Sequence, residues 1–214
     1  NGAIDHIITT YQQKYPGITL KIALVYFNVS KTADHLFLAS DKGTIIWGDV
    51  HSGNNRELTD TEILLGRIGK QLISDIPGNK QPFFQPCQSP KEFQELFKQK
   101  WLTNTVINTL CAAYNLKHTY LALEDQARFS MIMSEAYALG HKLWGPWSSP
   151  LNTLQEQIIS LINDLAFCQN SMYRHVQEGK KTESDYLAGK ALDFHEFSLL
   201  TELHQQITAH HPVH

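Results

Sequence analysis

Cys87 is the residue best placed in this sequence for nucleophilic chemistry. It lies two residues before Ser89, which opens a Ser-Pro-Lys-Glu capping box, so its sulfur is expected near a helix N-terminus. Backbone amides and the dipole at such an end stabilise a thiolate. His51 would be the base and Asp49 would orient it. These three residues predict a cysteine-dependent hydrolase or transferase acting on a protein or peptide, although no motif joins them.

A second group of residues has the chemistry of a metal site. His195 and Glu202 lie seven residues apart, two turns along one helix face, and an antiparallel partner helix would bring Asp164 and Cys168 near them. The Glu-x-x-His spacing of di-metal bundles is absent. A metal around His195 is therefore the weaker alternative, and no metal ligand is assigned.

Trp144 and Trp147 enclose a Gly-Pro break and form a candidate binding edge, although clustered aromatic residues are more often part of a core. The sequence contains no phosphate loop, no dinucleotide fingerprint and no nucleophile-elbow serine. No cofactor can be named from it, and whether the protein is an enzyme stays open.

The elements that position these residues predict an α+β fold that is predominantly helical. Residues 18–28, 35–39 and 44–50 are rich in β-branched and aromatic side chains and predict a small N-terminal antiparallel sheet of about three strands. The first of these is apolar on both faces and predicts a strand buried on both sides. One helix is expected to start at the capping box of Ser89, and another to run from about Thr103 to Tyr114.

The last third predicts a long antiparallel helical hairpin. Apolar residues recur at alternating spacings of three and four from Leu151 to His175, which is a coiled-coil repeat, and a partner helix starts at Thr182. Gly179 is the expected C′ residue of the first helix. Each helix would contain roughly 27 residues, or ~40 Å at the usual rise.

This organisation divides the chain into a sheet-containing part, 1–78, a helical layer, 79–148, and the hairpin, 149–214. The first residue is not Met, which suggests a piece of a longer protein. Because the hairpin is the most strongly specified element, the first functional hypothesis is an interaction or regulatory domain that uses it to bind a protein partner or to form a homodimer.

The composition limits which kinds of binding partner and which cellular compartment can be expected for this protein. The net charge is −3, so nothing indicates a nucleic-acid partner, and no apolar run reaches the ~20 residues of a membrane span. Three cysteines without framework spacing and without a recognisable signal peptide predict free thiols in a reducing, cytoplasmic compartment.

Overall fold

The computed structural model describes residues 10–11, 13–15, 22–26, 29–33, 36–39, 44–48, 63–64, 67, 84–87 and 89–209. The chain divides into two compact units, Tyr15–Phe97 and a second that combines Asn1–Lys14 with Lys98–His214. The three-part division expected from the sequence stays a prediction.

Two small sheets form the strands of the unit Tyr15–Phe97. Strands β1 (Ile22–Val25), β4 (Ile45–Gly48) and β5 (Phe84–Pro86) lie in the order β1-β4-β5, with β1 antiparallel and β5 parallel to β4. Strands β2 (Val29–Ala33) and β3 (Leu36–Ala39) pair with each other in a separate antiparallel sheet. The expected single antiparallel meander was thus wrong in its pairing, because Leu36–Ala39 pairs with Val29–Ala33 instead of joining the other two strands, and Phe84–Pro86 adds a parallel strand to β4.

Strand β1 is buried on one face only. Leu24 is fully buried, whereas Ala23 and Val25 are exposed, so β1 is not the doubly buried strand that its composition predicts. A helix covers the β4 end: a Cβ atom on Gly48 would lie 2.5 Å from the Phe93 ring, and only glycine leaves room for that ring.

Helices dominate the rest of the described chain. They are α1 (Pro90–Ala113), α2 (Gln126–Trp144), α3 (Leu151–Asp164), α4 (Ser171–Gln177) and α5 (Ser198–Ala209), with 3-10 turns at Thr119–Leu123, Ser184–Tyr186 and Ala188–Asp193. The α+β, mostly helical class is therefore confirmed. Among the described residues, no helix has both the length and the hydrophobicity needed to cross a bilayer.

Helix α1 begins where its capping residue predicts, since the Glu92 amide donates to Ser89 Oγ over 3.1 Å. It continues past Thr103, where a second, separate helix was expected to begin. Trp101 is fully buried inside one continuous helix of 24 residues. The core around it is apolar and includes Leu102, Val106, Phe129, Met133, Ala136, Leu139, Ile162, Leu187, Leu200 and Ile207.

The first half of the long hairpin was predicted wrongly. Helix α3 ends at Asp164, after 14 residues. The chain leaves the helix because Thr119 Oγ1 donates to the Leu165 carbonyl and the Tyr120 amide donates to the Ala166 carbonyl, at 3.3 Å. Those donors lie more than 40 residues away in sequence, so the local apolar repeat cannot reveal them.

The second half of the hairpin was also predicted wrongly. Instead of one helix, the chain forms the two 3-10 turns and then α5, and the turn Ala188–Asp193 packs back on α5. Gly189 permits this reversal, since a Cβ there would lie 3.0 Å from His204 Cε1 and from the Ser184 carbonyl. Consequently there is no coiled coil in this part of the described chain.

The prediction for Gly179 is confirmed. Its φ is +64°, and it ends α4 in a Schellman motif, in which Lys180 donates to the His175 carbonyl at 2.8 Å and Gly179 to that of Val176 at 3.0 Å. The glycine thus terminates a helix of seven residues rather than one of 27.

Candidate functional site

A polar stripe runs along helix α1. Lys100, Asn104 and Asn108 recur every four residues, so they lie on one face of the helix. Neighbouring positions such as Leu102 and Val106 are fully buried in the core, and Asn108 itself is only 8% exposed. Buried polar side chains are costly unless they are hydrogen-bonded, so this stripe needs partners from elsewhere in the chain.

Two of those partners come from the segments around α4. The Asn108 side-chain nitrogen donates to Glu183 Oε1 over 3.1 Å. The Asn170 side-chain nitrogen in turn donates to Asn108 Oδ1 over 2.7 Å. Both oxygen and nitrogen of the Asn108 amide are therefore bonded, and the two asparagines and the glutamate form one connected polar group.

Buried neighbours fix the position of Glu183. Thr182 and Ser184 on either side are 7% and 1% exposed, and Thr182 Oγ1 bonds both the Ser184 hydroxyl, at 3.1 Å, and the Ser184 amide, at 3.3 Å. The Trp101 indole donates to the Tyr186 carbonyl over 3.1 Å, which ties this turn to α1. The carboxylate thus extends from a rigid turn.

The environment changes the acidity of Lys100. Burial lowers the pKa of its ammonium, and the negative charge of Glu183 opposes that effect by raising it. Loss of the proton is therefore easier than from an exposed lysine, while the nearby carboxylate keeps a protonated population. A lysine in this setting is suited to donate a proton to a reacting oxygen.

The catalytic residues expected from the sequence do not coincide with this group. Cys87 follows β5, is half-buried, and its amide donates to the Trp47 carbonyl at 2.8 Å. Its charge contributes, after burial, to raising the pKa of Tyr26 to about 12. His51 and Asp49 lie outside the described residues, so the structure does not place them relative to the sulfur.

The residues considered for a metal do not converge either. His195, Glu202 and Asp164 are exposed, and Cys168 is half-buried and free. In the part of the chain that the structure describes, no group of three or more His, Cys, Asp or Glu residues is arranged to hold a metal ion.

Trp144 and Trp147 are half-buried and packed against the core. The ring of Trp144 meets Trp101 edge-on at 4.7 Å, and that of Trp147 stacks on Tyr137 at 5.2 Å. The Trp147 indole donates to the Tyr137 carbonyl over 2.9 Å. Their role in ligand binding stays a prediction.

Sequence reasoning missed Lys100, Asn104, Asn108, Asn170 and Glu183. One signal was available, namely Lys100, Asn104 and Asn108 at spacings of four, which places three polar residues on one face of a helix. It was hidden because two separate helices were predicted here, so that Lys100 preceded the helix predicted to begin at about Thr103, which contains both asparagines.

Comparisons with known proteins cover the same part of the chain. Residues 92–196 match the family model described as ketopantoate reductase PanE/ApbA C terminal. That segment is slightly less than half of the chain, and it contains the whole polar group and Lys100. A comparison with curated proteins finds no match.

Solved structures share the fold. The 2-dehydropantoate 2-reductase of Methylococcus capsulatus is 14% identical, with a TM-score of 0.70 over 94% of this chain and 65% of that one. A ternary structure of D-mandelate dehydrogenase with NADH and anilino(oxo)acetate is 14% identical, with a TM-score of 0.67 over 97% and 64%. A dimeric ketopantoate reductase from Staphylococcus aureus is 15% identical, with a TM-score of 0.62 over 93% and 64%. The chain thus spans slightly under two thirds of these proteins.

These findings correct both main hypotheses drawn from the sequence. The chain is not an interaction domain built on a coiled-coil hairpin, because the residues expected to form most of that hairpin match a reductase domain and fold as short helices. The cysteine-dependent hydrolase is overturned by the same match, which points to an oxidoreductase.

Proposed function

We propose that this chain supplies the substrate-binding and proton-donating part of a nicotinamide-dependent reductase of 2-oxo acids. The observation that carries the proposal is Lys100, half-buried on the polar stripe of α1 and under the influence of the Glu183 charge, within the segment that matches a reductase domain. Reducing a ketone requires a hydride on the carbonyl carbon and a proton on the oxygen. Lys100 would supply the proton.

The chemical class of the substrate follows from two of the similar proteins. One acts on 2-dehydropantoate, and another, a D-mandelate dehydrogenase, was solved with anilino(oxo)acetate. The shared chemistry is a carbonyl beside a carboxylate or an equivalent acyl group. The side-chain amide of Asn104 provides N–H donors on the same face as Lys100, which suits such an anionic group.

The hydride would come from a reduced nicotinamide dinucleotide. The fingerprint G-x-G-x-x-G, which holds a dinucleotide pyrophosphate, does not occur in the 214 residues. We therefore assign no residue of this chain to the cofactor, and the role of Lys100 is argued from its own surroundings.

A direct test combines binding and turnover. Calorimetric titration of the full chain with 2-oxo acids of increasing size is expected to give saturable binding, which Lys100→Met weakens or abolishes. The full-length protein with NADPH or NADH is expected to oxidise the nucleotide only when a 2-oxo acid is present. Equal activity on simple ketones, or none on any 2-oxo acid despite good folding, would refute the proposal.

We further propose that the protein works as a homodimer in a reducing compartment. Support comes from the dimeric Staphylococcus aureus protein to which the chain is similar, and from Cys87, Cys111 and Cys168, none of which forms a disulfide in the described structure. Sedimentation of the full-length protein over a range of concentrations tests the dimer. A monomer at all accessible concentrations would contradict it.

A further inference from the structure

Asn170 has two structural tasks. Its Oδ1 caps the N-terminus of α4 by accepting from the amides of Met172, at 2.9 Å, and Tyr173, at 3.3 Å. Its side-chain nitrogen donates to Asn108 Oδ1 over 2.7 Å. Asn170 is only 7% exposed, so the oxygen and the nitrogen of its amide form their hydrogen bonds within the protein.

The cap determines which way every amide in this group points. An asparagine has one acceptor oxygen and one donor nitrogen, and the two helical N–H groups accept no bond, so only the oxygen of Asn170 can face them. Its nitrogen must then face Asn108. Asn108 therefore accepts with its oxygen and presents its own nitrogen to Glu183.

Glu183 is the last residue in this series of hydrogen bonds, and its carboxylate accepts from the Asn108 side-chain nitrogen. A carboxylate that accepts a hydrogen bond from a fixed donor is held in one orientation, and the buried residues on both sides restrict its backbone. Charged groups lie on α1 and on its own segment. Lys100 on α1 is under its influence, and on its own segment Lys181 and Asp185 form an exposed pair at 3.5 Å.

We infer that Asn170 is a positioning residue, which fixes the orientation of the Asn108 amide and, through it, that of the Glu183 carboxylate. The effect of Asn170 on catalysis rests on the proposed function, whereas the positioning of the Glu183 carboxylate does not. Asn170 would not touch the substrate. It would act through two intervening side chains.

The test is a double-mutant cycle in the full chain. Serine caps helices about as well as asparagine, but its hydroxyl is too short to reach Asn108, so Asn170→Ser removes the second task and keeps the first. The readout is the pKa of Lys100, measured by competitive amine labelling across pH and resolved by site with mass spectrometry. It needs no turnover.

We expect Asn170→Ser to lower the pKa of Lys100 by roughly half a unit, because the carboxylate is no longer held beside the ammonium. Glu183→Gln is expected to lower it further, and the double variant to match Glu183→Gln alone. Asn152→Ser, at an exposed position on α3, is the control and is expected to leave the pKa of Lys100 unchanged.

Two outcomes would overturn the inference. One is an unchanged Lys100 pKa in a folded Asn170→Ser protein. The other is an equal shift in the Glu183→Gln background, which would show that Asn170 acts by another route. Asn170→Thr offers a second capping variant if the serine variant is poorly folded. If the cycle gives the expected shifts of the Lys100 pKa but the protein reduces no 2-oxo acid, the inference is retained and only the proposed function is rejected.

Discussion

The side-chain amide of Asn108 donates a hydrogen bond to Oε1 of Glu183, 75 residues further along the chain, over 3.1 Å. This contact joins the long helix α1 to the rigid turn that follows α4. The negative charge of Glu183 raises the pKa of Lys100 against the larger effect of burial, which lowers it. The predictions for activity follow from this arrangement.

Replacing Lys100 tests the proton donor directly. We expect Lys100→Met to keep the fold, since methionine fills a half-buried site of similar length, and to lower kcat/KM for 2-oxo acids by about 10²–10⁴-fold, as expected for loss of a general acid. Steady-state kinetics of the full-length protein measures this. Lys117→Gln, at an exposed position, is the matched control and should leave the rate unchanged. Similar losses in both variants would contradict the assignment.

The pH dependence of the rate reports on Glu183. Lys100 donates only when protonated, so activity is present below its pKa and lost as pH rises through it. The Glu183 charge raises that pKa against the effect of burial. We therefore expect Glu183→Gln to move the descending limb of kcat/KM to lower pH, by roughly one unit. A limb that stays in place, or moves to higher pH, would show that another group controls it.

His204 gives a prediction for stability. It is buried on α5, and burial lowers the pKa of its imidazole, while the charge of Asp185, at 3.8 Å, opposes this. The unfolded chain therefore takes up the proton more readily, at about its ordinary pKa of 6.5. The stability contributed by neutral His204 is complete above that value and is lost as pH falls below it.

Urea unfolding at a series of pH values measures this effect. We expect the free energy of unfolding to fall between about pH 7 and pH 5 in the natural protein, and the slope to become shallower in His204→Gln. His141→Gln, at an exposed position on α2, serves as the control and should keep the natural slope. Identical slopes in all three proteins would exclude His204 as the cause.

Cys111 tests the packing of α1. Burial raises the pKa of its thiol to about 12 and leaves the side chain fully inaccessible. Because the thiolate is the reactive form, we expect a thiol reagent near neutral pH to label the half-buried Cys87 and Cys168 well before Cys111. Site-resolved mass spectrometry follows the three rates. Urea should abolish the difference, and fast labelling of Cys111 in the folded state would contradict the described core.

Local signals in the sequence predicted features that depend on a few adjacent residues. The Ser89 cap and the positive φ of Gly179 are of this kind, because a hydroxyl before a helix or a glycine after one acts within a single turn. The mostly helical class was predicted too, since apolar periodicity is summed over many residues.

The site and the hairpin could not be predicted in this way, because both depend on distant partners. Helix α3 ends where Thr119 bonds the Leu165 carbonyl, and the apolar repeat continues past that point because α4 also packs against the core. Glu183 lies in a turn without periodicity, and only the fold brings it to Asn108. The prediction for Cys87 rested on its position just before a helix start. Such a local pattern does not reveal which side chains surround the sulfur.

The two tasks of Asn170 make it sensitive to a change of a single functional group. Deamidation would convert its side chain to that of aspartate, which caps a helix equally well but has no N–H to offer Asn108. The aged protein would keep the cap of α4, but a buried carboxylate would then lie against the Asn108 oxygen in place of a hydrogen-bond donor. Ageing at this residue would therefore both lower stability and free the orientation of the Glu183 carboxylate.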